Sequence, residues 1–215
     1  MLKFYVHMTD PNLFGKSILV FLRPILYSTD YRLSAWQELV ISDSACEEFV
    51  FDPTVSAQIQ VSGKQKKSII SSAEVPMFVG QLCDAITPDG LSPQLQLQSK
   101  ASARQRLTPS QYGVRNSTCP RRPVSCNWLV SGSQVVTMPH MDFGMTATFE
   151  YDPAFYFSVI APISKGQNYT VQSFTDMTYY SFNSCISAVD VYVEMRDYKW
   201  EFRFEEREPD INYYL

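Results

Sequence analysis

The sequence predicts an all-β fold: an antiparallel β-sandwich or, as the alternative, a β-barrel, with at most one short helix. Three observations lead there. Apolar and polar residues alternate with period two along most of the chain, turn signals recur every ~8–12 residues, and no long amphipathic helix interrupts the pattern.

Taken in order, Leu2, Phe4, Val6 and Met8 share one face of a first strand, with Lys3, Tyr5 and His7 on the other. Ser17 to Leu22 is nearly all apolar, as expected of a strand buried on both faces, and Pro24 ends it or marks a bulge. Tyr31 to Ile41 fits either a helix, with Leu33, Trp36 and Leu39-Val40 on one face, or a bent strand. Glu48 to Phe51 and then Val55, Ala57, Ile59 and Val61 read as strands, followed by a turn at Gly63-Lys64-Gln65-Lys66-Lys67. Thr87-Pro88-Asp89-Gly90 is a turn with a mechanism, since Pro presets φ and Gly supplies positive φ. The Pro-, Gln- and Ser-rich stretch around 87–110 reads as a long loop within one domain spanning 1–215.

The second half is plainer. Trp128-Leu129-Val130 and Gln134 to Met138 form a hairpin about Ser131-Gly132-Ser133. Met145, Ala147, Phe149 and Tyr151 alternate up to a turn at Asp152-Pro153, and Phe155, Phe157 and Val159 follow. Val189, Val191, Val193 and Met195 run into a short Asp197-Tyr198 turn, and Trp200, Phe202 and Phe204 return against Glu201, Arg203 and Glu205.

Composition excludes several classes. With 45% hydrophobic residues and a net charge of −4, the chain is neither disordered nor a general nucleic-acid binder, and no apolar run reaches the ~18 residues of a membrane span. The first residues lack the apolar core and cleavage site of a signal peptide, so intracellular synthesis, or a mature chain already trimmed, is expected. Asn116-Ser117-Thr118 and Asn168-Tyr169-Thr170 match glycosylation sequons.

Charge is segregated along the chain. Gly90 to Met141 contains no carboxylate but carries Lys100, Arg104, Arg106, Arg115, Arg121 and Arg122, a segment of +6 against −10 for the remainder. Asp190 to Asp210 is acidic, with Glu205, Glu206 and Glu208 among its carboxylates. Two solvated faces would explain this, as would complementary patches between copies of the chain. Five cysteines, Cys46, Cys83, Cys119, Cys126 and Cys185, read either as free, partly buried thiols in a reducing compartment or as an odd set that leaves at least one thiol for a bond between chains. Their spacing is not that of a zinc site. Cys119 and Cys126, beside Pro120-Arg121-Arg122-Pro123 in an expected exposed loop, are the first candidates for bonds within or between chains, and Cys46 is next.

Catalytic motifs are absent from the sequence: no nucleophile elbow, phosphate-binding loop or zinc-protease pair occurs. His140 and Asp142 would face one side of a strand, a weak metal or acid–base signal without a third ligand or a nucleophile. No cofactor is expected. Tyr179-Tyr180, Tyr192 and Tyr213-Tyr214 are candidates for exposure, where tyrosines favour protein contacts or carbohydrate stacking.

Ile18-Leu19-Val20-Phe21 with Ala35-Trp36-Gln37-Glu38-Leu39-Val40, and the segment from Ala147 to Phe157, resemble the opening strand, Ala-Trp segment and later strand pair of the octin-like proteins, a bacterial β-protein family with a fungal offshoot. Where that family has His-Pro-Phe this chain has Glu47-Glu48-Phe49. The resemblance implies ordered self-assembly into vacuolar protein crystals that serve fungi as gravity-sensing statoliths, a gene acquired from bacteria, cysteines that link chains, and no catalysis. The expectation is therefore a structural protein whose partner is itself, as a homo-oligomer or lattice. Contacts are assigned to Arg115, Arg121, Arg122, Glu205, Glu206, Glu208, Tyr213 and Tyr214. The competing reading is a sandwich that binds a carbohydrate or small aromatic compound on exposed Tyr and Trp side chains.

Overall fold

The computed structural model describes residues 1–25, 30–40, 46–63, 68–160, 177–182 and 185–208. Their strands form four open sheets. Sheet I orders β18 (Lys199–Arg207), β17 (Ala188–Arg196), β1 (Leu2–His7) and β5 (Cys46–Phe51). Sheet II orders β16 (Thr178–Ser181), β15 (Tyr151–Ile160), β2 (Ser17–Pro24) and β4 (Gln37–Val40). Sheet III runs β3 (Arg32–Leu33), β13 (Ser133–Met141), β12 (Val124–Val130), β6 (Val55–Ser62), with both β7 (Ile69–Ser71) and β8 (Val75–Met77) on the far side of β6. Sheet IV orders β10 (Gln94–Leu97), β9 (Leu82–Ile86), β11 (Tyr112–Asn116) and β14 (Thr146–Phe149). No sheet closes into a barrel, and the fold is an all-β sandwich.

Side-chain size explains how the sheets pair. Sheets I and II meet through Phe4, whose ring lies 4.9 Å from Phe155 and 6.2 Å from Phe157, and through Phe51, 5.1 Å from Phe155. Sheets III and IV meet where Trp128 stacks on Phe149 at 5.4 Å. The chain passes from sheet I to sheet III between β5 and β6, and from sheet IV to sheet II between β14 and β15. Buried side chains from all four sheets consequently join in one cluster. Alternation behaves as read in β1, where Leu2, Phe4 and Val6 are buried, and β2 is buried on both faces in the interior of sheet II.

Several elements differ from the reading of the sequence. Most pairings are antiparallel, but β1 lies parallel to β17 and β9 parallel to β11. The ambiguous segment after Tyr31 is extended, as β3 and β4. The stretch expected as a loop around 87–110 contains β10 and the one α-helix among the described residues, the short α1 (Lys100–Arg104), capped by Ser99, whose hydroxyl accepts from the Ser102 amide. Asp152-Pro153 is an irregularity inside β15 rather than a turn: the register with β2 shifts between Tyr151 and Phe155, as a residue lacking N–H requires of a ladder. The turns at Ser131-Gly132 and Asp197-Tyr198 both have two consecutive positive φ angles, the geometry of two-residue hairpins.

Candidate functional site

The outer face of sheet I carries an array of charged and aromatic side chains in specific contact. It is built by register. Cys46, His7, Tyr192 and Arg203 lie in one row across β5, β1, β17 and β18, and Glu48, Tyr5, Asp190 and Glu205 form the next. Period-two geometry puts these side chains on the face opposite Phe4, Val6, Val189 and Val191.

Along the first row, the His7 and Tyr192 rings stack at 4.6 Å, and the Arg203 guanidinium sits 4.1 Å from the Tyr192 centroid. At the centre, buried Asp190 accepts hydrogen bonds from His7 Nε2 at 2.7 Å and from Arg207, whose guanidinium also covers the Tyr5 ring at 5.1 Å. Burial alone raises the Asp190 pKa; the Arg207 and His7 hydrogen bonds and charges outweigh it and hold the carboxyl below its ordinary value. Lys3 pairs with Glu48 at 3.1 Å, Arg196 with Glu194 at 2.9 Å and with Glu201 at 3.7 Å, and Arg203 pairs with Glu205. The acidic end of the sequence thus carries charges of both signs in β17 and β18, with Asp190, Glu194, Glu201 and Glu205 each paired to an arginine.

Cys46 neighbours His7 in register, which raises the question of a thiol–imidazole pair. The chemistry does not favour one. Burial and the charges of Asp190 and Glu47 push the Cys46 thiol up, away from thiolate, while His7 Nε2 is engaged by Asp190. What the arrangement does is hold charges at fixed points on a rigid sheet.

The residues singled out in the sequence fall in different places. No two cysteines are bonded, and all five are free. Cys126 is not in an exposed loop: it is wholly buried in β12, and Cys83 is buried in β9, because both occupy inward positions of their strands. Neither is accessible for a bond between chains. Burial pushes the Cys83 thiol up to about 11 and that of Cys126 higher still. Cys46, Cys119 and Cys185 are exposed. Of the basic residues, Arg121 is exposed with its guanidinium 4.5 Å from the Phe143 ring centroid. Arg122 is half-buried and donates to the Leu91 carbonyl at 2.9 Å, and Arg115 is half-buried on β11. Glu205, Glu206 and Glu208 are exposed, with Glu206 accepting from the Tyr180 hydroxyl at 2.9 Å. Tyr213 and Tyr214, like the sequon at Asn168, lie outside the described residues.

Tyr179 is exposed, but Tyr180 is buried against Phe204 and Tyr192 is covered by Arg203, so these tyrosines form no common platform. The Asn116 sequon is closed by packing. Its Nδ2 donates to the carbonyls of Arg122 at 2.7 Å and Met141 at 2.8 Å, and its Oδ1 accepts from the amide and hydroxyl of Thr118. His140 and Asp142 do meet, at 3.1 Å, as an exposed pair. Among the described residues no three His, Cys, Asp or Glu side chains gather as a metal site, and no helix is long and apolar enough to cross a membrane.

The sequence reading missed His7, Asp190 and Arg207. The alternation of β17 put Asp190 on an outward face, but only the parallel pairing of strands at opposite ends of the chain brings His7 to it. Fold and face together define an all-β sandwich protein with open sheets and a charge-patterned outer surface. Comparison with protein-family models, curated proteins and solved structures finds no match in any of the three.

Proposed function

We propose that this chain is a non-enzymatic structural protein that associates with copies of itself into an ordered particle. The observation that carries this reading is the openness of all four sheets. Each ends on strands, β18 and β5, β16 and β4, β10 and β14, β3 and the β7–β8 side, whose outer backbone groups pair with no further strand among the described residues. Unpaired edges are templates for another chain, and proteins that must stay apart usually shield them. Large apolar side chains stand exposed on or directly after several of them: Val40 at 57% on β4, Ile69 at 69% on β7, Phe78 at 73% just after β8, and Leu97 at 58% on β10. Several modest contact surfaces on different sides suffice for a lattice, since multivalency multiplies weak contacts.

The octin-like resemblance supports the same reading and extends it to a fungal vacuolar statolith crystal. Exposed Cys119, Cys46 and Cys185 are the thiols that would link chains. Sedimentation velocity over a range of concentrations, salt and reductant tests the proposal. Species should grow beyond the 24.6 kDa monomer as concentration rises and salt falls, and a non-reducing gel of native material should show a ladder that collapses with reductant. A protein that stays monomeric at high concentration from pH 4 to 8 without reductant overturns it.

A further inference from the structure

Resting on that reading, we infer that one self-contact is edge-to-edge pairing of β18 with β18 of a second copy, antiparallel and centred on Phe202. Three features of the strand carry this. It is nine residues long, and among the described residues no strand pairs with its outer edge. Its outward hydrogen-bonding groups are defined by the hairpin. Arg196 and Lys199 close the two-residue turn, so Lys199, Glu201, Arg203, Glu205 and Arg207 bond toward β17, as the Ser187 amide donating to the Arg207 carbonyl at 3.0 Å shows at the far end. The N–H and C=O groups of Trp200, Phe202, Phe204 and Glu206 therefore point away from sheet I. Finally, Trp200, Phe202 and Phe204 are only half-buried on their inner face, leaving aromatic surface at the edge.

The charges choose the partner and the register. With Phe202 opposite Phe202, the outer face sets Lys199 against Glu205 and Glu201 against Arg203, each pair occurring twice about the two-fold axis. The inner face sets Trp200 against Phe204. About six backbone hydrogen bonds join the Phe202 pair and the two Trp200–Phe204 pairs. Sliding the centre to Arg203 opposes Lys199 with Arg207, Glu201 with Glu205, and Arg203 with itself. Like charges directly opposite are unfavourable across strands, so this slip is selected against. Lys199 makes no ion pair within the described residues, and Glu205 is held in place by Arg203. The product is one continuous sheet of eight strands, two copies of sheet I joined across β18.

The test uses Lys199→Glu, Glu205→Lys and the double variant, with dimer dissociation measured by sedimentation equilibrium at low salt. Circular dichroism checks the fold, and both positions are exposed. Each single change turns two attractive pairs into two repulsive ones and should weaken association about tenfold. The double variant restores opposite signs and should return to within about threefold of the parent. If the parent associates and the single variants match it, the β18 contact is overturned while self-assembly through other edges stands. If the singles weaken association and the double variant does not recover, this register is overturned. A parent that never associates overturns both.

Discussion

Trp36 and Trp128 offer a comparison in which one atom decides the outcome. Both are buried among aromatic rings, Trp36 against Phe49, Phe51 and Phe155, and Trp128 against Tyr112 and Phe149. Trp36 Nε1–H donates to the Val130 carbonyl at 2.9 Å, whereas Trp128 Nε1 has no partner among the described residues. Replacement by Phe removes roughly 40 Å³ at either site, about 1 kcal/mol of cavity cost plus about 1 kcal/mol of lost transfer energy. At Trp36 the lost hydrogen bond adds about 1–1.5 kcal/mol; at Trp128 removal of an unpaired buried donor gives back about 1–2 kcal/mol. Trp36→Phe should therefore cost about 3 kcal/mol and Trp128→Phe under about 1 kcal/mol. With about 2–4 °C of Tm per kcal/mol in a domain of this size, the two variants should melt several degrees apart. Urea unfolding followed by far-UV circular dichroism, which does not depend on the missing indole, reads both. Equal losses, or a larger loss at Trp128, would refute the reasoning.

Three further outcomes are expected. Asp190, ionised and held below its ordinary pKa by Arg207 and His7, contributes stability that is present above the unfolded value of about 3.9 and is lost as pH falls through its lower folded value. Asp190→Asn should lower stability at neutral pH and flatten the acid limb of a urea-midpoint-versus-pH curve below about pH 4. Thiol titration at pH 8 should label Cys46, Cys119 and Cys185 in the native protein and reach Cys83 and Cys126 only in denaturant, since burial holds both as inert thiols. Asn116→Ala, which breaks a side-chain network of four hydrogen bonds in the core, should cost about 3 kcal/mol by denaturant unfolding, and a native-like midpoint would show that the network is dispensable.

Local physics was legible in the sequence, and long-range pairing was not. Period two placed Phe4, Val191 and Phe202 on inner faces because it reports which side of one strand meets a core. It says nothing about which strand lies alongside. Hence β1 against β17, and with it the His7–Asp190 contact, was invisible, since 183 residues separate the two side chains. Cys126 was misplaced because a nearby Pro-Arg-Arg-Pro run suggested a loop, whereas β12 begins at Val124 and turns the sulfur inward. The polar stretch around 87–110 hid β10 because Gln94-Leu95-Gln96-Leu97, on an edge strand largely open to solvent, needs little hydrophobicity to pair with β9. The charge arithmetic was correct as a sum and misleading as a map: of the five carboxylates of β17 and β18, four pair with the three arginines of the same hairpin, and Glu206 accepts from Tyr180.

The parallel seam between β1 and β17 also sets a timetable for synthesis. The second strand of the chain's own first sheet to leave the ribosome is β5, which can flank β1 early. The other flank of β1 stays bare until residue 188 has been made. At about 5–20 residues per second that interval lasts roughly ten to forty seconds. Throughout it the nascent chain presents the unpaired backbone of Lys3 to His7, so newborn copies on one message carry an open strand until the β17–β18 hairpin covers it.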